Sequence, residues 1–152
     1  MRVGVISDTH GLLRPEAVDA LVGCELIVHA GDIGKPQIIE VLQALAPLQI
    51  VRGNNDLKLP WAAQLADELR FKMGSWQALL VHDIADVPAQ LDEAVRVVIT
   101  GHSHKPQIHW QGGRLYLNPG SAGPRRFKLP VTVAVIDIEG ERLEPRIIPL
   151  LE

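Results

Sequence analysis

Four imidazoles, two carboxylates and one carboxamide stand directly after apolar runs of this sequence. Val3-Gly4-Val5-Ile6-Ser7 leads into Asp8 and His10, and Leu26-Ile27-Val28-His29-Ala30-Gly31 leads into Asp32. Ile50-Val51-Arg52-Gly53 leads into Asn54, Ala78-Leu79-Leu80-Val81 into His82, and Val97-Val98-Ile99-Thr100-Gly101 into His102 and His104. Such a mixed oxygen and nitrogen set suits borderline divalent ions such as Mn, Fe, Co, Ni or Zn, whereas Ca and Mg sites favour oxygen throughout. Seven ligands exceed what one four-coordinate ion takes; they match two ions roughly 3.5–4 Å apart that share one bridging carboxylate. Singly, each residue has an ordinary reading. Asp8, Asp32 and the run Asn54-Asn55-Asp56 can be turn residues, and His82 and His102 can be satisfied histidines at strand ends. The recurrence of the same chemistry after five apolar runs makes convergence on one rim the stronger reading, because open α/β sheets bind ligands outside the carboxyl ends of their strands.

The elements that must position these residues are legible from period and punctuation. Val3–Ile6, Leu26–His29 and Leu48–Val51 read as strands, with helices expected over Arg14–Val22 and Pro36–Ala46. A proline opens each helix and Pro47 closes the second. This alternation predicts parallel strands with right-handed crossovers. The second half predicts hairpins: Glu68–Met73 with Trp76–Val81, Ile108–Gln111 with Arg114–Leu117, and Val131–Ile138 with Arg142–Ile148. A further strand is expected over Val97–Ile99 and a short helix over Asp86–Ala94. The stretch from Asn118 to Pro130 reads as a long loop, the kind that often carries function.

The chain has 152 residues, 47% of them hydrophobic and 22% charged, so it is long enough for a sizeable core and is read as one domain over 1–152. One cysteine, Cys24, excludes an intramolecular disulfide and any cysteine-rich zinc module, and it reads as core. No apolar run approaches the roughly 18 residues that a membrane helix needs, and Met1 leads straight into the first strand, so a cytoplasmic location is expected. A formal charge of −3, with no groove-like mixture of basic and aromatic residues, argues against long nucleic acids.

Taken together and in order, Asp8-Thr9-His10, Gly31-Asp32, Gly53-Asn54-Asn55-Asp56, His82 and Gly101-His102-Ser103-His104 resemble the calcineurin-like metallophosphoesterases. With Asn118-Pro119-Gly120-Ser121 and the short length, the chain looks most similar to the small bacterial and archaeal phosphodiesterases of that superfamily. The resemblance runs from Arg2 to about Ile138. It implies an α/β fold of two packed mixed β-sheets flanked by helices, a four-layer sandwich with the site at the strand ends. By position, it implies that Asp8, His10 and His104 hold one ion, that Asn54, His82 and His102 hold the other, and that Asp32 bridges them. It further implies that a hydroxide between the two ions attacks a phosphate ester, with Asp32 and Asn54 as the residues nearest the chemistry. Two divalent ions are expected, with Mn favoured over Ni, Fe, Co and Zn.

Two departures from the family pattern bear on mechanism. Many members carry a histidine directly after the motif asparagine; here that residue is Asn55, so the usual general-acid candidate is missing. Asp83 follows His82 where glycine is usual, and it is read either as a partner that orients His82 or as a solvated side chain. The spacing from His82 to His102 is short for the family and predicts an open cleft. Asn55, Asn118, Ser121 and Arg125, with Arg126 beside it, are the candidate substrate contacts. His29 is read as a packed or supporting residue, His109 as a surface residue, and Trp61 as either a cleft wall or a core or surface residue. The expected activity is hydrolysis of a small or nucleotide-like phosphodiester. The alternatives are a phosphomonoesterase or protein phosphatase, and a non-catalytic interaction scaffold of the retromer-subunit type. Exposed hairpins leave a homo-oligomer open.

Overall fold

The computed structural model describes residues 1–151. Ten strands form two five-stranded mixed sheets, ordered β10-β9-β1-β2-β3 and β4-β5-β6-β8-β7. The first comprises β1 (Arg2–Ile6), β2 (Leu26–His29), β3 (Leu48–Ile50), β9 (Thr132–Glu139) and β10 (Arg142–Pro149). The second comprises β4 (Glu68–Met73), β5 (Trp76–Val81), β6 (Val95–Ile99), β7 (Gln107–Gln111) and β8 (Arg114–Asn118). Strands β1, β2 and β3 run parallel to one another, as do β5, β6 and β8.

The apolar strand runs are buried on both faces, which is why they read as continuous rather than alternating. Val3, Val5, Val28, Ala134 and Ile136 face inward and pack against Ala78, Leu80, Val97, Ile99, Leu115 and Leu117 of the second sheet. The opposite faces of the same strands, through Ile6, Ile27, Val133 and Val135, pack under α1 (Pro15–Leu21) and α2 (Pro36–Leu45). Cys24 is buried in this second layer, as expected. Trp61 also packs there, so of its two readings the structure supports packing. The proline at the first position supplies the helix geometry at no cost in hydrogen bonds. Ala46, forced out of the helical region by Pro47, adopts φ −167° and ψ 166° and ends α2.

The helix expected over Asp86–Ala94 does not form. A single 3-10 turn, Ile84–Asp86, is followed by extended chain. Val87 precedes Pro88 and sits at φ −71°, ψ 127°, outside the helical region. Farther on, the Asp92 side chain accepts from the Ala94 amide at 2.8 Å, a local turn that competes with helix. The outer face of the second sheet, Leu79, Val81, Val95 and Val98, is therefore covered by Val87, Leu91 and Tyr116 rather than by a helix.

Candidate metal centre

The carboxyl ends of β1, β2, β5 and β6 meet on one rim where the two sheets abut. Hydrogen bonds cross between the sheets at this point. His82 Nδ1 lies 2.7 Å from the Ala30 carbonyl oxygen, and the His102 amide donates to Asp8 Oδ2 at 3.1 Å. Asp8, His10 and His104 offer ligand atoms within 4.8 Å of one another, and Asp32, His82 and His102 do the same. His10 Nε2 is 3.7 Å from both Asp8 Oδ1 and Asp32 Oδ2. His82 Nε2 is 3.9 Å from Asp8 Oδ1 and 3.2 Å from Asp32 Oδ2. Each of these imidazoles thus faces both carboxylates, and the two groups adjoin. Asn54 is exposed beside them, with its Oδ1 3.2 Å from His102 Nδ1.

The polar bookkeeping of these atoms suits a cation. The Ala30 carbonyl can only accept, so His82 Nδ1 carries the hydrogen and the neutral ring presents its Nε2 lone pair to two carboxylates. That juxtaposition is repulsive unless a proton or cation lies between. Asp8 Oδ1, His10 Nε2, His82 Nε2 and His104 Nδ1 are all buried without a hydrogen-bond partner, a condition that a bound divalent ion of the borderline class would relieve.

The electrostatics agree. Burial works against ionisation of Asp8, yet the nearby His10 imidazole, the hydrogen bond from Ser7 and the charge of His82 and His104 hold its carboxyl below the usual range. Asp32 is likewise buried but held down by His82, the Asn55 amide and His10. Burial pushes the His82 imidazole down, but Asp32 and Asp8 outweigh it and raise the group. Burial lowers His104, with Arg126 and His10 acting in the same direction and Asp8 against.

The backbone is specialised here. Asp8 (φ 56°), His10 (46°), Asp32 (56°), His102 (70°) and His104 (64°) all occupy the left-handed region, as few non-glycine residues do. Strain of this kind concentrates at functional sites and persists only where surrounding structure enforces it. The enforcing contacts are visible. Ser7 Oγ donates to Asp8 Oδ2 at 2.6 Å. The Asp56 carboxylate accepts from the amides of Ile33, Gly34 and Gly53 at 2.9–3.2 Å, clamping the loop that carries Asp32 to the loop that carries Asn54. Gly53 is needed at that junction, because a Cβ there would run into the Asp32 side chain and backbone.

The substrate-contact candidates make these contacts within the chain. Asn55 donates from its amide to Asp32 Oδ1 at 2.9 Å, with its side chain 3.4 Å from Oδ2. Asn118 is buried; its Nδ2 donates to the Gly101 carbonyl at 2.9 Å and to Ser103 Oγ at 3.1 Å, which holds the His102–His104 turn. Ser121 Oγ donates to the Asp8 carbonyl at 3.0 Å. Arg125 is exposed, and its Nε reaches the Leu129 carbonyl at 3.3 Å. Asp83 does not orient His82. Its Oδ1 caps the Ala85 amide at 3.0 Å, and its Oδ2 lies 3.6 Å from His102 Nε2. His29 supports the site without entering it, and His109 is exposed on β7. Sequence reasoning passed over Ser7 and read Asp56 as turn chemistry; the one signal available was an aspartate three residues after Gly53, a spacing that caps a turn. The short connection after His82 borders a cleft of about 420 Å³ lined by Arg52, Asn54, His82, Asp83 and Asp86, among others.

The sequence profile of the calcineurin-like phosphoesterase superfamily domain matches residues 1–141. The chain belongs to this superfamily. A probable metallophosphoesterase of Methanothermobacter thermautotrophicus is 37% identical over 97% of this chain and 92% of its own length. Among solved structures, Vacuolar Protein Sorting 29 of Cryptosporidium parvum superposes with a TM-score of 0.83 at 18% identity, covering 99% of this chain and 92% of that one. Its counterpart from Entamoeba histolytica, solved in complex with Zn²⁺, superposes with a TM-score of 0.72 at 22% identity, covering 99% of this chain and 100% of that one. At these identities the structures establish a common fold. The metallophosphoesterase sandwich is thus the fold of this member of the superfamily, and the candidate metal-ligand groups lie at its strand ends. Among the described residues, no helix is long and apolar enough to cross a membrane.

Proposed function

We propose that this calcineurin-like phosphoesterase is a divalent-metal-dependent phosphodiesterase of one domain, acting in the cytoplasm on a small or nucleotide-like diester. The observation that carries the reading is the pairing of Asp8, His10 and His104 with Asp32, His82 and His102 around buried atoms that lack partners. In this reading Asp8, His10 and His104 hold one ion, Asn54, His82 and His102 hold a second, and Asp32 lies between them. Two such ions, Mn favoured, would supply Lewis acidity and an acidified water for attack at phosphorus. Asn54, its Oδ1 turned to His102, has Nδ2 available to donate to a phosphate oxygen. Asp8 is kept ionised by Ser7 and its imidazole neighbours, and Asp32 by His82 and the Asn55 amide. Asn55 offers no acidic proton, so the leaving oxygen departs without protonation by that residue. The small chain and the absence of a histidine at position 55 favour diesters over monoesters.

The test is hydrolysis of bis(p-nitrophenyl) phosphate and of p-nitrophenyl phosphate with Mn²⁺. The reading requires diester turnover that His104→Ala abolishes. Equal, metal-independent background in both proteins would overturn it, and a stable partner co-purifying with a silent protein would turn the reading towards an interaction scaffold.

A further inference from the structure

We propose that Phe127, at the tip of the loop from Pro124 to Leu129, is the surface on which a flat aromatic group of the substrate stacks, so that the diester carries a nucleobase or another aryl ring. This rests on the phosphodiesterase reading and adds its substrate class. Six non-glycine residues among those described have positive φ; five are candidate metal ligands and the sixth is Phe127, at φ 54°. For a bulky aromatic residue that conformation is a genuine outlier. Phe127 is also 90% exposed, so no core packing compensates it.

The loop grows out of the candidate site. Ala122 N donates to the Ser7 carbonyl and Ser121 Oγ to the Asp8 carbonyl, each at 3.0 Å. Gly123 lies against the Asp8 and Thr9 backbone so closely that a Cβ would collide, and the Arg14 guanidinium donates to its carbonyl at 3.3 Å. Beyond this root the loop closes on itself: Leu129 N donates to the Arg126 carbonyl at 3.1 Å, and Arg125 Nε to the Leu129 carbonyl at 3.3 Å. Four residues of chain hold the Phe127 Cα within roughly 14 Å of the Gly123 Cα.

Charge selects the occupant. Arg125, Arg126 and Lys128 flank Phe127 in sequence and are exposed, while the cleft beside His82 is lined by Asp67, Glu68, Asp83 and Asp86, with Arg52 paired to Asp67. An anionic diester is therefore drawn to the Phe127 side. An exposed aromatic ring among cations is the combination that holds nucleotides by stacking and charge together.

Calorimetric titration of the protein with thymidine 5′-monophosphate and with ethyl phosphate separates ring from phosphate. Phe127→Leu keeps apolar bulk but loses the aromatic face. It should weaken the thymidine ligand roughly tenfold and change ethyl phosphate less than about twofold, whereas Phe127→Trp should bind like the wild type. Unchanged thymidine affinity in Phe127→Leu, or an equal loss for both ligands, overturns the proposal. The titration needs no turnover. A silent enzyme with the expected binding pattern would sink the phosphodiesterase reading and leave Phe127 as an aromatic-binding surface without a substrate role. An active enzyme whose Phe127→Leu variant keeps wild-type preference between thymidine and ethyl p-nitrophenyl diesters would do the reverse.

Discussion

His29 Nε2 lies 3.1 Å from the Thr9 hydroxyl, and this pair ties the end of β2 to the loop that carries Asp8 and His10. The network fixes the tautomer. The Gly31 amide donates to His29 Nδ1 at 3.0 Å, so Nε2 holds the hydrogen and donates to Thr9 Oγ1, which in turn donates to the Ile33 carbonyl at 2.8 Å. The Gly31 link needs a neutral ring, because a protonated Nδ1 cannot accept.

A pH dependence of stability follows. Complete burial lowers the His29 imidazole from 6.5 to about 4, against the pull of Asp8 and Asp56. As pH falls below 6.5, the unfolded chain takes up a proton that the folded chain refuses until about 4. The contribution is therefore intact above 6.5 and is lost progressively down to about 4, to a total of about 3 kcal/mol. Urea unfolding across that range should show the slope, and His29→Gln should flatten it while lowering stability at pH 7.

Asp56 should be the most costly carboxylate to neutralise. Asp56→Asn places an NH₂ among three backbone donors, leaving at least one buried amide unpaired. A loss of about 2–4 kcal/mol is expected in denaturant unfolding. Mn²⁺ affinity should fall with it, since the clamp sets Asp32 against Asn54.

The ligand groups should couple to stability through metal. Adding Mn²⁺ to the chelator-treated protein should raise its melting temperature, because a cation relieves the facing of Asp8 and Asp32 by His10 and His82. Asp32→Asn should remove most of that increment; a variant that still gains the full increment would count against a shared carboxylate.

Asn118→Ala tests whether this residue acts on the ligands or on the substrate. Its Nδ2 holds the Gly101 carbonyl and Ser103 Oγ, on either side of His102. Metal affinity should fall roughly 10–100-fold, the usual effect of losing a group that orients ligands. At saturating Mn²⁺ the KM for bis(p-nitrophenyl) phosphate should return close to wild type. A raised KM under those conditions would restore a direct substrate contact.

Asn55 predicts steep sensitivity to the leaving group, because no imidazole is there to protonate it. Turnover of aryl diesters should fall sharply as the phenol becomes less acidic. Asn55→His should flatten that dependence and speed the poorest leaving groups by at least about tenfold. The backbone amide bond to Asp32 at 2.9 Å survives the change, so the Asp32 position is preserved.

The strands were legible because segments buried on both faces are short continuous apolar runs, and Pro15, Pro36 and Pro47 punctuate the helices locally. The Asp86–Ala94 segment misled because composition alone does not reveal that Val87 before Pro88 and the Asp92 turn both oppose a helix. Residue type marked Asn118 and Ser121 as candidate contacts, but it could not show that their hydrogen bonds run to the loops that carry the candidate ligands.

The sequence by itself determined the ligand chemistry, the order of elements and the absence of an imidazole at position 55, since each resides in residue identity and local period. Only the tertiary structure decided that His10 and His82 each face both carboxylates, that Asp83 turns to His102, and that Asp56 clamps two loops together. Those relations depend on how two sheets meet and on left-handed backbone at Asp8, His10, Asp32, His102 and His104. Asp and His tolerate such a backbone better than most residues, but the contacts of the folded chain hold it.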